Sequence, residues 1–558
     1  MDDQPENKQG WTAYKLNGRG IRTFINYVFT ADSEDLKTGQ SQATSLITPH
    51  GEVQGILTCV DAEHFRFSLP AEKAGLAATW LRDLSDGYVK FDEDLLRRTP
   101  GPIYVTEDAE GAITSALEFE DGSRKPYFIG IKPETQGTPL PAFQWEDKET
   151  DQLRRTPLYE AHKQLGAKLI PFAGWEMPVW YTSVVEEHLA TRQAAGLFDV
   201  AHMGVYQAEG PDAGVFLDGV CGNDISALEV GESCYTHFLD PNANVIDDLL
   251  VYRRSAQKYL IVVNAANDDK DWAWLNAVRN GEVMVDRQRP WARAFGRNVI
   301  LRNLRDPKEG QDMRVDIALQ GPKSREILLA LGTDAETRRR IMALKRTELC
   351  EAVVGGMDLV VSRTGYTGEK MAFELFVHPD QAVQLWQALL EAGKPLGLKP
   401  CGLGARDSLR TEAGLPLYGH EMGGQLNLGV AEAGFGSYVK TYKPWFIGRE
   451  AFLEREKTRN SVVIRFRFTE KGVRMAHLGD PVIDRKGRTI GVVTSCAIDS
   501  EGFLTGQALV EIKSSEEGTP LFIYQSAPTS AGKPPAELKT GDRVLLPSAA
   551  VIISRFPK

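Results

Sequence analysis

Residues 231–266 read GESCYTHFLDPNANVIDDLLVYRRSAQKYLIVVNAA. Inside this stretch LLVY (249–252) and YLIVV (259–263) are runs of branched and aromatic residues, which predict core strands separated by a polar turn at 253–257. Asp247 and Asp248 stand immediately before the first run. Side chains alternate across a strand, so only one of two adjacent acids points into a given cavity. One Asp is therefore the candidate for chemistry, and its neighbour is expected in solvent. The plain alternative is a pair of acids that simply ends a loop.

The rest of the chain bounds what such an acid can serve. A length of 558 residues exceeds one core and predicts roughly three to four domains. With 42% apolar and 25% charged residues the composition is that of an ordinary globular protein, which excludes a disordered or fibrous chain. The net charge of −11 argues against nucleic acid as the main partner, since a phosphate-binding surface needs a basic excess. Cys59, Cys221, Cys234, Cys350, Cys401 and Cys496 are scattered without a C-x-x-C pair, a pattern that suits reduced thiols better than a disulfide or zinc framework. No apolar run approaches the ~18 residues of a membrane span. The opening MDDQPENKQG has neither a secretory apolar core nor an Arg-rich presequence, so the expected location is the cytoplasm, with no membrane partner.

Residues 11–131 carry strand-like runs (IRTFINYVF, ATSLITP, EVQGILTCV, FRFSL) and a helix near 71–84, which predict an N-terminal α+β domain over 1–131. Proline-rich 132–155, with its charged close, reads as a linker. Shifted by 192 residues, Leu36, Gly39, Ser41, Thr44, Pro49, Val53 and Leu57 fall on Leu228, Gly231, Ser233, Thr236, Pro241, Val245 and Leu249. Residues 20–105 are thus expected to be a degenerate partial repeat of the focal region. In that copy Gly55 and Ile56 stand where Asp247 and Asp248 are, and Ala43 stands opposite Tyr235. Lacking the carboxylates and the ring, the copy is expected to be structural or an interaction module.

Further along, LIPFAGWEMPVWY (169–181) reads as an aromatic segment broken by Pro171 and Pro178. SVVEEHLATRQAAGLF (183–198) predicts a helix with Ser183 as N-cap, Glu186 in the capping box and Gly196 as stop. The Arg-rich stretch 287–306 reads as a basic patch or a solvated face. Short, turn-punctuated strands over 459–558 predict a separate β-barrel or sandwich, with 525–541 as an exposed loop.

Five motifs follow in order: DVAHMG (199–204), YTHFLDPNANVIDDLLVYR (235–253), VVNAAN (262–267), RTGYTGE (363–369) and GARDSLRTEAGLPLYGHEM (404–422). This succession resembles the glycine-cleavage T-protein (aminomethyltransferase) family from 156 to about 556. The resemblance implies an α+β, multidomain folate-binding fold, with a catalytic region over 156–458 built as two α/β subdomains, and a C-terminal β-barrel, around a central cavity. The N-terminal α+β domain is then an addition. It also implies transfer of an aminomethyl group from a lipoyl-bearing carrier protein (H-protein) to tetrahydrofolate, with release of ammonia. By the same resemblance Asp248 is the key acid, Met203, Tyr235, Leu250, Tyr252, Asn264, Tyr366, Glu374 and Arg406 match folate-contacting positions, and His202 is scaffold.

The residue types suit such a ligand. A reduced pterin presents N–H donors, an amide and a flat apolar body, so its pocket needs carboxylate, guanidinium and aromatic surfaces together. Asp248, Leu250 and Tyr252 share one strand face, and Asn264 offers both donor and acceptor. Two positions stay open. Glu369 competes with Glu374, because GEKMAFE is one residue longer than the family spacing, and an ion pair with Glu412 is the alternative for Arg406. Cys496 occupies the turn after VVTS where the family often has Gly. No metal-ligand spacing is visible. Two other functions share the scaffold: a folate-dependent demethylase of a small methylated substrate, and a non-enzymatic folate-binding protein. The latter carries a K-G-C-Y-x-G-Q type motif where this chain has KPWFIGRE, without a Cys.

Overall fold

Residues 21–28, IRTFINYV, form a helix rather than a strand. Ile21, Phe24, Ile25 and Val28 recur at the spacing of one helical face, and all four are buried. The apolar period outweighs the β-preference of the individual residues. The computed structural model describes residues 10–34, 36–87, 89–114, 124–131, 137–147, 152–525, 539–540 and 546–557.

The chain opens with β1 (Trp11–Gly18), α1 (Ile21–Val28), β2 (Ser41–Thr48), β3 (Gly51–Cys59), β4 (His64–Pro70), α2 (Ala74–Asp86) and β5 (Ile103–Glu107). These make a five-stranded sheet in the order β2-β3-β4-β1-β5. Next come α3 (Tyr159–Gln164), the ribbon of β6 (Lys168–Phe172) and β7 (Trp175–Trp180), α4 (Val184–Gln193) and β8 (Ala195–Asp199). The prolines expected to break 169–181 sit inside this two-stranded ribbon, where each strand is an edge and a missing N–H costs little. Ser183 caps α4 as expected, its side chain accepting from the Glu186 N–H. Gly196 is not the stop: α4 ends at Gln193 and Gly196 lies in β8, where a Cβ would collide with the Thr191 hydroxyl.

A second sheet follows from β9 (Gly204–Glu209), α5 (Ala213–Val220), β10 (Ser233–Leu239), β11 (Val245–Ser255), β12 (Lys258–Val263), α6 (Asp268–Asn280) and β13 (Ile300–Asn303), in the order β10-β11-β12-β9-β13. Strand for strand and helix for helix, this is the N-terminal arrangement over again. The register moves the equivalences by two residues, because the β2–β3 turn closes at Thr48↔Gly51 while the longer β10–β11 connection closes through a bulge at Leu239↔Val245. Ser45 pairs with Gln54 where His237 pairs with Asp248, so Val53 and Gln54, not Gly55 and Ile56, stand in the places of Asp247 and Asp248.

The third sheet comprises β14 (Val315–Gln320), α7 (Ser324–Ala330), α8 (Ala335–Ala343), β15 (Leu349–Val354), β16 (Met357–Ser362), β17 (Ala372–Val377), α9 (Pro379–Gly393) and β18 (Leu398–Cys401), and it takes in β8: β15-β16-β17-β14-β8-β18. Then come α10 (Leu403–Glu412) and α11 (Arg449–Thr458). Last is a closed barrel of β19 (Ser461–Phe468), β20 (Pro481–Ile483), β21 (Thr489–Ile498), β22 (Leu504–Glu511), β23 (Pro520–Ile523) and β24 (Ser548–Ile553). Cys496 lies within β21 rather than in a turn. Most of the expected loop at 525–541 falls outside the described residues.

Two packings place the site. Val205, Tyr252, Leu260 and Val262 of the second sheet meet Leu349, Val360 and Phe376 of the third, with the Tyr252 and Phe376 rings 5.5 Å apart. The opposite face of the second sheet is covered by α5 and α6, and behind these the N-terminal unit adds Tyr27 and Tyr127 to the same apolar cluster as Phe295 and Trp445. Arg22–Asp212 (2.8 Å), Arg97–Glu450 (2.6 Å) and Arg449–Asp94 (2.7 Å) pin that contact. The Arg-rich 287–306 is neither basic patch nor solvated face. Arg302 pairs with Glu209, Glu309 and Asp312, Arg297 pairs with Glu34, and buried Arg289 donates to the Lys125 carbonyl. Among the described residues no helix is long and apolar enough to cross a membrane.

Candidate active site

β11 starts at Val245, so Asp247 and Asp248 lie inside a strand and do not end a loop. Alternation separates them as expected, but Asp247 does not reach solvent: it is completely buried. Hydrogen bonds replace the water it gives up. The Asn264 backbone N–H and side-chain amide each donate to it at 2.9 Å, and the Asn267 amide donates as well. Asp271 on α6 is buried beside it, and burial followed by the Asp247 charge pushes the Asp271 carboxyl well above the usual range.

Asp248 is the half-buried member, on the face turned toward the third sheet. Tyr235 donates its hydroxyl to Oδ2 (2.8 Å) and the Asn264 amide donates to Oδ1 (3.0 Å). Burial first, and then the neighbouring Asp247 charge, push Asp248 up to about 7. An acid so placed exchanges its proton near neutrality.

Four residues along the same face, Tyr252 donates to Glu374 Oε2 on β17 (2.8 Å), and the Thr364 hydroxyl donates to the same oxygen. Leu250 and Met203 are half-buried against the apolar cluster between the sheets. Glu369 is engaged elsewhere, in an ion pair with Arg192 (2.7 Å). Glu412 also belongs to Arg192 (2.7 Å) and to His188 (3.0 Å), so it is not the partner of Arg406. The half-buried Arg406 guanidinium instead stands 5.2 Å from the centre of the Tyr366 ring, whose hydroxyl donates to the Pro416 carbonyl. His202 is buried; burial and then the Arg406 charge lower it to about 3, leaving the imidazole neutral.

The fold thus brings Asp248, Tyr235, Asn264, Leu250, Tyr252 and Met203 on one sheet up to Glu374, Tyr366 and Arg406 on the other side. Sequence reasoning passed over three further groups. Asp316 on β14 is 1% exposed, on the strand face that looks toward α10. His237 pairs with Asp248 across the sheet, is fully buried and neutral, with burial lowering it to about 3, and neither ring nitrogen has a partner among the described residues. Phe435 and Tyr438 pack their rings 5.7 and 5.2 Å from Tyr235, and Tyr438 is exposed at its outer side. The one available signal was polar residues inside otherwise apolar strands, as in VDIALQ and YTHFL. Among the described residues no His, Cys, Asp and Glu cluster could hold a metal ion.

Residues 158–443 match the family described as the GCVT N-terminal domain. An aminomethyltransferase of Symbiobacterium thermophilum is 43% identical over 349 residues, 62% of this chain and 86% of that protein. The chain belongs to the glycine-cleavage T-protein (aminomethyltransferase) family. An aminomethyltransferase of Bacillus subtilis is 38% identical over 66% of this chain and 93% of its own length. The crystal structure of glycine cleavage system aminomethyltransferase T from Bartonella henselae superposes with a TM-score of 0.57 at 30% identity, over 72% of this chain and 97% of that one. As a T-protein relative the chain is an enzyme that transfers a one-carbon unit, on the multidomain α/β and barrel fold of that family. The family match begins at 158, which leaves the N-terminal sheet outside it.

Proposed function

We propose that this chain moves the aminomethyl carbon held on the lipoyl arm of an H-protein-type carrier to tetrahydrofolate, breaking its C–N bond to release ammonia and its C–S bond to release the reduced lipoyl thiol, and leaving methylenetetrahydrofolate. The observation that carries the reading is Asp248: a half-buried carboxylate, held from two sides by Tyr235 and Asn264, on the strand face that meets Glu374, Tyr366 and Arg406.

In this reading Asp248 faces the folate nitrogen that forms the new bond to the methylene carbon. Its carboxylate takes the proton that nitrogen gives up and offsets the positive charge that builds there. Tyr235 and Asn264 fix the direction of the carboxylate. Glu374 offers an acceptor to the N–H edge of a pterin, with Tyr252 and Thr364 holding its other oxygen. Tyr366, Leu250 and Met203 supply ring and apolar surface, and Arg406 supplies positive charge. Among the described residues the N-terminal unit packs behind α5 and α6, not on the face that carries Asp248, and this supports a carrier protein over a free small donor.

The test is incubation of the purified chain with tetrahydrofolate and either aminomethylated carrier protein or a panel of methylated amines, sulfonium and methoxy compounds. Methylenetetrahydrofolate and ammonia appearing only with the carrier are expected. Methyl- or methylenefolate formed from a small donor, and none from the carrier, would make the chain a demethylase on the same scaffold.

A further inference from the structure

Asp316 is buried to 1% and its Oδ1 has no hydrogen-bond partner among the described residues. An orphaned oxygen of this kind costs free energy unless a ligand completes it. Its position is informative. Asp316 pairs with Phe376, and Ala318 with Glu374, so Asp316 and Glu374 are diagonal neighbours on one face of adjacent strands. On that face Ala318 packs with Phe198 of β8 and with Ala405 and Leu409 of α10, the helix that carries Arg406. Glu374 already has one oxygen occupied by Tyr252 and Thr364. The charged and titratable groups around Asp316 are Glu374 on β17, Arg406 on α10 and Tyr252 on β11, while Asp199 on β8 pairs with Ile317 and acts from the other face of the sheet.

We propose that Asp316 is a second carboxyl of the pterin pocket, working with Glu374 as a donor and acceptor pair that reads the amide edge of the ring. The proposal rests on the folate reading above. Burial, followed by the Glu374 charge, holds Asp316 well above the usual carboxylate range, and Arg406 offsets this only in part. A neutral carboxyl donates an O–H. Asp316 therefore suits the ring carbonyl at position 4, while the free oxygen of Glu374 accepts the adjoining ring N–H or amino group. A ring bearing an amino group at position 4 would set donor against donor and leave Asp316 unsatisfied.

The experiment measures equilibrium binding of tetrahydrofolate and of its 4-amino counterpart to the full chain and to Asp316→Leu and Asp316→Asn, with thermal unfolding as a control for folding. The unaltered chain is expected to bind the 4-oxo compound at least about tenfold more tightly than the 4-amino compound. Asp316→Leu should bring the two within about twofold of each other, and Asp316→Asn, which keeps a donor, should retain the preference. Preference unchanged in Asp316→Leu, or lost in Asp316→Asn, overturns the proposal, and the Asn variant decides alone if the Leu variant does not fold. No preference in the unaltered chain also overturns it and leaves the folate reading standing. Binding of neither compound defeats the folate reading itself.

Discussion

At the scale of single residues, Asp248 carries the sharpest expectations. Asp248→Ala should lower kcat about a hundredfold or more while the affinity for tetrahydrofolate changes only a few-fold, because in the proposed function the acid acts on the reacting nitrogen while Glu374, Tyr366 and Arg406 remain to hold the ring. Single-turnover rates alongside binding titrations separate the two effects. With its carboxyl pushed up to about 7, Asp248 is ionised above that pH and neutral below it, so kcat/KM should rise through pH 7. Asp248→Asn should flatten that limb. The same shift sets a stability effect of opposite use. The folded state holds the Asp248 proton more tightly than the unfolded chain, so its contribution is greatest in acid and is lost as pH climbs from about 4 to 7. Asp248→Asn should melt a few degrees higher than the unaltered chain at pH 8 and almost identically at pH 4, as read by calorimetry.

At the scale of elements, the join between α10 and the barrel contains a buried ion pair. Arg410 is 1% exposed and Glu421 0%; they meet at 2.8 Å, and Ser495 of β21 bridges both. Removing Glu421 leaves the buried guanidinium only the half-exposed Asp407 (2.7 Å) as a charged partner, so Glu421→Ala should cost about 3 kcal/mol in urea unfolding. Loss of the α4 cap in Ser183→Ala should cost only about 1 kcal/mol. Such elements differ in how far their sequences disclose them. The cap was readable because Ser183 and Glu186 act within one turn, and the focal strands because LLVY and YLIVV carry the β signal locally. The helix at 21–28 reads as strand in the sequence because its residues favour β individually while their burial follows a period of 3.6. Asp247 was misplaced because an acid looks solvated until Asn264 and Asn267, brought in by the next strand and helix, are known to satisfy it. Asp316 is invisible in the sequence for the same reason reversed, since its significance is an Oδ1 without a partner among the described residues, which only the assembled sheet reveals.

At the scale of the whole molecule, the N-terminal unit and the body share an apolar cluster and several ion pairs, so calorimetry should show them unfolding together in a single cooperative transition. A chain starting at residue 152 would bare the surface now covered by Tyr27 and Tyr127, and should aggregate more readily. The repeated strand order explains how such a unit can lack the acid and yet persist: Val53 and Gln54 preserve the pleat without the chemistry. Between these bodies runs the stretch 435–450. One end lays Phe435 and Tyr438 on the ring that steadies Asp248; the other, through Trp445, Arg449 and Glu450, is gripped by Tyr27, Asp94 and Arg97. It is therefore a tie rod, sixteen residues long, with the contacts of Arg97 at one end and the ring that holds Asp248 at the other.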